Sequence, residues 1–183
     1  TIDLGLARFR ARGGGEGLRL FGNIASCGLT GDVAERANRS SKRFGGTASF
    51  LAATVAAFWS WQNVPFRVQV DDQVRELVAN NVVAANGRAF GGGIRIAPDA
   101  RPDDGLLDVV VIGDVGKLAL ARNLGRMYRG TLERDPRVEV LRGRRVEVVP
   151  ERPLPVELDG EQPGLTPITF EVLPGALDLI VPR

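Results

Sequence analysis

The rhythm of apolar residues after Pro65 constrains this chain more than any other feature. Short runs rich in Val, Ile, Leu and Phe follow one another: Phe66 to Val70, Val74 to Val78, Val82 to Ala85, Leu106 to Ile112, Val138 to Leu141, Arg145 to Val149, Val156 to Leu158, Ile168 to Val172 and Leu177 to Val181. Asp-Asp, Pro-containing and glycine-rich turns separate them. Runs of this length bounded by turn residues read as β-strands. Parallel neighbours need a crossover of roughly a dozen or more residues, and the gaps leave little room for that. The pattern therefore predicts antiparallel pairing.

The first third is more mixed. Thr1 to Arg12 alternates apolar and polar residues, Gly13-Gly14-Gly15 turns, and Gly17 to Ile24 returns, which predicts a hairpin. Ala25 to Gly31 reads as a small-residue loop. Asp32 is placed to cap a helix running to Phe44, which Gly45-Gly46 breaks. A second helix is expected from Thr47 to Trp61, apolar nearly all round and hence buried. A third is expected over Val115 to Arg129, from the spacing of Leu118, Leu120, Ala121, Leu124 and Met127. The expectation is an α+β, β-rich fold: an antiparallel β-sandwich with about three helices, in a single domain spanning residues 1–183. No repeat or linker divides it. Phe50 to Trp61, the most apolar stretch, falls short of the ~20 residues that span a bilayer. No signal-peptide pattern opens the chain, and its start at Thr1 instead of Met suggests an excised fragment.

Composition removes several chemistries. There is no histidine and one cysteine, Cys27, so a Ser-His-Asp triad, an intrachain disulfide and a cysteine zinc site are excluded. Catalysis here must draw on carboxylates, hydroxyls, Lys, Arg, backbone groups or a hard metal ion. The net charge of +2 mixes both signs throughout and gives no case for nucleic-acid binding. Nearly all the cations are Arg, clustered at Arg8, Arg10 and Arg12 and at Arg142, Arg144 and Arg145; Lys42 and Lys117 are the exceptions. Guanidinium forks suit phosphate, but charges on an edge-strand face are the commoner explanation.

Three stretches could carry chemistry. The glycine-rich NGRAFGGG over Asn86 to Gly93 could wrap a phosphate with backbone N–H groups. It lacks a following Gly-Lys-Ser/Thr, and Ile94 to Ala97 reads as a strand, so tight turns and a bulge explain it better. APDARPDDGLLD over Ala97 to Asp108 gathers Asp99, Asp103, Asp104 and Asp108 on a turn that could hold a hard divalent cation or simply be polar. Asp159-Gly160-Glu161 is a strong hairpin signal. In extended chain its two carboxylates would share a face and raise one pKa by repulsion, as a general base requires.

The order of these motifs resembles a known family. FGNIASCGLTGDVAERAN, VVAANGRAFGGGIRIAPDARPDDGLLDVVVI, PVELDGE and PGALDLIVP succeed one another as in the second, C-terminal domain of bacterial diacylglycerol kinases. The relation extends to sphingosine and ceramide kinases and, more distantly, to NAD kinases. The resemblance implies a two-domain ATP-dependent lipid kinase of phospholipid metabolism with its active site in the interdomain cleft. The N-terminal domain would carry a Gly-Gly-Asp-Gly-type ATP motif. That motif is missing here, so this fragment alone is expected to be inactive. The resemblance also implies that Asp159 and Glu161 deprotonate the lipid hydroxyl. It further implies a structural Mg²⁺ held by the Asp104 side chain and the carbonyls of Arg101 and Leu106. The partners it implies are a diacylglycerol-like lipid, ATP and the N-terminal domain; peripheral membrane contact and a homodimer are compatible with it. The expected location is the cytoplasm, at the inner membrane surface. The rival readings are a non-catalytic lipid-binding or regulatory module of the same fold and an NAD-kinase relative.

Overall fold

A computed structural model describes residues 1–39 and 54–180. The strands are β1 (Ile2–Ala11), β2 (Glu16–Phe21), β3 (Ile24–Gly28), β4 (Val64–Val70), β5 (Gln73–Ala85), β6 (Leu107–Gly113), β7 (Val138–Gly143), β8 (Arg145–Pro150), β9 (Pro155–Leu158) and β10 (Glu161–Leu177). The helices are α1 (Leu29–Arg39), α2 (residues 54–60) and α3 (Lys117–Arg129), with a 3₁₀ turn at Leu132–Arg134. Every strand pairing is antiparallel.

The sheet curls until it meets itself. Strands β10, β8, β4, β5, β3 and β9 follow in hydrogen-bonded order, and β9 pairs with β10 to close the ring. The β1–β2 hairpin extends from β10, and β6 and β7 extend from β5. The two longest strands, β5 and β10, are shared between the ring and these extensions. Closure removes most free edges, leaving β2 and β7 as the outer strands of the described sheet.

Period-two alternation sorts the side chains into two cores. Val82, Ala84, Leu107, Val109 and Val111 point into the main core with Phe21, Phe66, Val68, Val148 and Phe170. Their neighbours Val83, Ala85, Val110 and Ile112 point the other way, into a second core with Ile96, Val115, Leu120 and Leu132. Two covered faces explain why Leu107–Gly113 is apolar at nearly every position.

Several local expectations change. The stretch from Ala25 is β3 rather than a loop, because Ala25, Ser26 and Cys27 are small enough to be fully enclosed between β5 and β9. Helix α1 therefore starts at Leu29, and Asp32 lies in its first turn with Arg36 one turn on (2.8 Å), so it does not cap the helix. Gly31 is where β9 crosses α1: a Cβ there would stand 2.0 Å from the Pro155 carbonyl oxygen. Val74 to Val78 and Val82 to Ala85 are one strand, since β5 continues through Asn80 and Asn81. Phe90 and Ile94 form only an isolated bridge, so Ile94 to Ala97 is not a strand. The final strand stops at Leu177 instead of beginning there. The expected ends of the first two helices, from residue 40 to residue 53, lie outside the described residues. What is described of α2 is not wholly buried: Ala57 is enclosed, but Val55 and Trp59 face out. Its C-terminal end is capped by Lys117, whose ammonium donates to the carbonyls of Phe58 and Trp61.

Candidate active site

The second core opens into a cavity of about 640 Å³. One wall is α3, through Leu120, Ala121, Leu124 and Met127; another is α1, through Leu29, Val33 and Ala34. Ile24 of β3, Phe58 of α2 and Ile112 of β6 add to the apolar lining, with Phe90, Gly91, Ile94 and Ile96 of the glycine-rich stretch along one side. Positive φ angles of 47°, 74° and 93° at Gly91, Gly92 and Gly93 make that stretch a tight turn, as its sequence suggests.

Polar groups of the lining come from the β2–β3 corner (Asn23), α1 (Thr30), α2 (Thr54), β5 (Asn80 and Asn81), β9 (Glu157) and the β9–β10 turn (Asp159 and Gly160). The hairpin signal of Asp159-Gly160 is realised as a two-residue turn with φ of 48° and 88°, joining Leu158 to Glu161. That left-handed geometry turns the Asp159 carboxylate back toward the start of β3. Its Oδ2 accepts from Gly22 N (2.7 Å), and its Oδ1 accepts from Asn23 N (3.1 Å) and Ile24 N (2.8 Å). Asp159 thus fixes the β2–β3 corner that borders the cavity.

Glu161 goes elsewhere. It is exposed, pairs with Arg19 of β2 at 2.5 Å, and is not part of the cavity lining. The carboxylate pair expected from an extended chain is not formed, because the left-handed turn lies between the two residues. The carboxylate that neighbours Asp159 is Glu157, which sequence reading passed over. Its Oε2 accepts from Ser26 Oγ (2.6 Å), and its Oε1 accepts from Gly160 N. Ser26 Oγ lies 2.8 Å from Thr30 Oγ1, whose one hydroxyl proton is shared with Asn81 Oδ1, also at 2.8 Å. Burial pushes the Glu157 carboxyl above the usual range; the two hydrogen bonds pull it down and the Asp159 charge pushes it further up. The available signal was the Val-Glu-Leu alternation of β9, which turns Glu157 away from the main core that takes Val156 and Leu158.

The Asp-rich turn lies apart from the cavity lining. Asp104 Oδ1 accepts from Leu106 N (3.1 Å), and its Oδ2 pairs with Arg142. Asp108 is buried beside it, with Oδ1 3.2 Å from Arg142 Nε and Oδ2 without a hydrogen-bond partner. Burial pushes the Asp108 carboxyl up, against the pull of Arg142. Asp3, also missed from sequence, fastens this turn to β10 by accepting from Gly105 N and Gly175 N (2.7 Å each). Among the described residues no cluster of three or more His, Cys, Asp or Glu side chains is arranged for a metal. A cation at Asp104 would thus rely on backbone carbonyls such as those of Arg101 and Leu106. Arg12, just past β1, pairs with Glu35 of α1, and Arg145 of β8 pairs with Glu171 across from it on β10, so these members of the arginine clusters serve ion pairs within the fold. The Cys27 thiol, pushed up to about 12 by burial, is inert.

The profile of the YegS C-terminal NAD kinase beta sandwich-like domain matches residues 23–181. The chain belongs to this family. Over 186 residues it is 32% identical to the diacylglycerol kinase of Mycobacterium tuberculosis, covering 100% of this chain and 58% of the relative. It is 29% identical to a protein assigned as a YegS-like lipid kinase of Chromohalobacter salexigens, covering 89% of this chain and 52% of the relative. A Bacillus anthracis crystal structure assigned as a diacylglycerol kinase superposes with a TM-score of 0.68 at 26% identity, covering 95% of this chain and 54% of that one. The chain therefore spans a little over half the length of the relatives it matches and corresponds to the C-terminal domain of the lipid kinase family. In this YegS-type domain the cavity, the Asp159 turn and the Asp104 turn are the features with chemistry to offer.

Proposed function

We propose that this domain forms the lipid-accepting half of an ATP-dependent lipid kinase that phosphorylates the hydroxyl of a diacylglycerol-like lipid. The observation that carries this reading is the cavity: an apolar chamber of about 640 Å³ with carboxylates among its few polar groups. Acyl chains suit the lining of α1, α3 and β6, and the polar groups suit a hydroxyl head. The names of the relatives point the same way.

In this reading ATP is bound mainly by an N-terminal domain of the same polypeptide, and the cleft between the two domains meets the β9–β10 turn. Asp159 and Glu161 are the acceptors for the hydroxyl proton that the resemblance implies. Their surroundings suggest a division of labour: Asp159 holds the corner rigid through three backbone N–H groups, while exposed Glu161 can swing from Arg19 toward the cleft. A Mg²⁺ held by Asp104 with the carbonyls of Arg101 and Leu106 would stiffen the neighbouring turn. The unpartnered oxygen of buried Asp108 supports a cation nearby, as does the all-oxygen donor set. Trp59, Leu118 and Tyr128 are exposed apolar residues on α2 and α3, which also wall the cavity. They suit contact with the cytoplasmic membrane surface from which such a lipid would be drawn. Among the described residues no helix is long and apolar enough to cross a membrane.

The test is phosphoryl transfer from labelled ATP to a panel of lipids by the full-length protein, beside Asp159→Asn and Glu161→Gln variants. Labelled lipid that falls at least about 100-fold in either variant is the expected result. A folded, ATP-binding protein that labels no lipid would sink the kinase reading and favour a lipid-binding module.

A further inference from the structure

The two carboxylates of the cavity are not equivalent. Asp159 already accepts three backbone N–H bonds, at 2.7, 2.8 and 3.1 Å. A carboxylate offers about four acceptor positions, so Asp159 has little left for a ligand. Glu157 accepts two bonds, one from Ser26 and one from Gly160, and keeps acceptor capacity. Unlike exposed Glu161, it lines the cavity. No arginine or lysine pairs with it among the described residues. The charge that acts on it is that of Asp159, of the same sign.

A half-buried carboxylate without a cation is costly to keep. A purely structural residue would be expected to fill all its acceptors or to be replaced by an uncharged one. Here Ser26 donates its one hydroxyl proton to Glu157, and Thr30 Oγ1, 2.8 Å from both Ser26 Oγ and Asn81 Oδ1, holds that hydroxyl in place; the arrangement aims the carboxylate and leaves it short of donors. The ligand that completes it carries an O–H or N–H group at the polar end of an apolar body.

We propose that Glu157 is a substrate-binding residue that accepts a hydrogen bond from the hydroxyl head of the lipid and fixes its position in the cavity. This rests on the reading of the cavity as the lipid chamber. It adds a specificity: the cavity selects lipids whose head donates a hydrogen bond and rejects those whose head is capped.

The experiment measures binding of 1,2-dioctanoylglycerol and of its 3-O-methyl ether to the full-length protein. Wild type is compared with Glu157→Gln, which mimics the protonated acid in shape, and with Glu157→Ala. Thermal melting verifies that each variant is folded. A hydrogen bond to a charged acceptor predicts that wild type prefers the alcohol by roughly tenfold to hundredfold. The preference should shrink to a few-fold in Glu157→Gln and vanish in Glu157→Ala, while affinity for the ether stays within about twofold. Equal binding of alcohol and ether by wild type would overturn the role of Glu157 and leave the lipid chamber standing. A discrimination that survives in folded Glu157→Ala would do the same. Failure of folded wild type to bind either compound would overturn the chamber itself, and the inference with it.

Discussion

Glu157 and Asp135 are both carboxylates withdrawn from water, and the protein treats them in opposite ways. The Asp135 side chain is completely enclosed and ringed by cations. Arg137 donates to both its oxygens (2.8 Å each), Arg126 Nη1 lies at 2.9 Å, and Arg122 Nη2 stands at 3.8 Å. The Arg137 hydrogen bonds hold its carboxyl well below the usual range, despite burial. Asp135 is not among the residues that line the 640 Å³ cavity, and its charge ties α3 to the approach of β7. Glu157 has two neutral donors, no cation among the described residues and a raised pKa, and it faces the cavity. The contrast separates two uses of a buried charge. A charge compensated from within the fold serves stability; one left partly uncompensated keeps binding capacity for something outside it.

The largest effect should come from removing the compensated charge. Asp135→Ala leaves three arginines without their common partner and removes the N–H acceptor for Arg137. Breaking a buried ion pair costs about 3–5 kcal/mol. Because the arginines reach solvent, the lower figure applies, about 3 kcal/mol. For a chain of this size that lowers the melting temperature by roughly 6–12 °C. Glu157→Gln, measured beside it, should change melting far less. Equal losses in the two variants would erase the distinction between the sites.

Asp108 lies between these extremes, since Arg142 reaches one oxygen and the other has no partner. If Mg²⁺ binds at the neighbouring Asp104, saturating metal should raise the melting temperature. A ligand at tenfold its dissociation constant stabilises by about 1.4 kcal/mol, or roughly 3–6 °C here. Asp104→Ala should abolish that rise. Identical melting of the unmutated protein with and without Mg²⁺ would count against the site and leave Asp108 as a partly compensated structural charge.

The sequence announced turns and strand pairs better than it announced who meets whom. Asp159-Gly160 and Asp71-Asp72 are hairpin turns as their chemistry demands, with φ of 48° at Asp159 and 50° at Asp71. The β-rich antiparallel class was legible from the length of the runs and of the gaps between them. Ala25 to Gly28 was not, because a strand of small residues buried on both faces lacks the apolar alternation that marks a half-buried one. The site was legible to the extent that its turn was. The resemblance pointed to Asp159 and Glu161, but only the left-handed backbone at Asp159 separates their side chains. Asp3 and Glu157 act through long-range contacts, across 172 and 131 residues in the cases of Gly175 and Ser26. No local pattern encodes such partners.

The smallest effect is also the most diagnostic, because it turns on a sign. Glu157 has a folded pKa above its unfolded value of about 4.3. Its contribution to stability is therefore fully present below about pH 4 and is lost as pH rises through the raised folded value. Asp135 runs the other way. Its contribution is present above its unfolded pKa of about 3.9 and is lost as pH falls toward the depressed folded value. Chemical denaturation of wild type and Glu157→Gln at pH 4 and pH 7 compares the first case directly. The glutamine variant cannot ionise, so relative to wild type it should gain stability between pH 4 and pH 7. Asp135→Asn should show a nearly constant deficit over that interval, and the deficit should shrink only as pH falls below about 4. A Glu157→Gln difference that is flat with pH would mean that water or an unseen donor already compensates Glu157 in the free protein. The acceptor capacity assigned to it would then be spent before any lipid arrives.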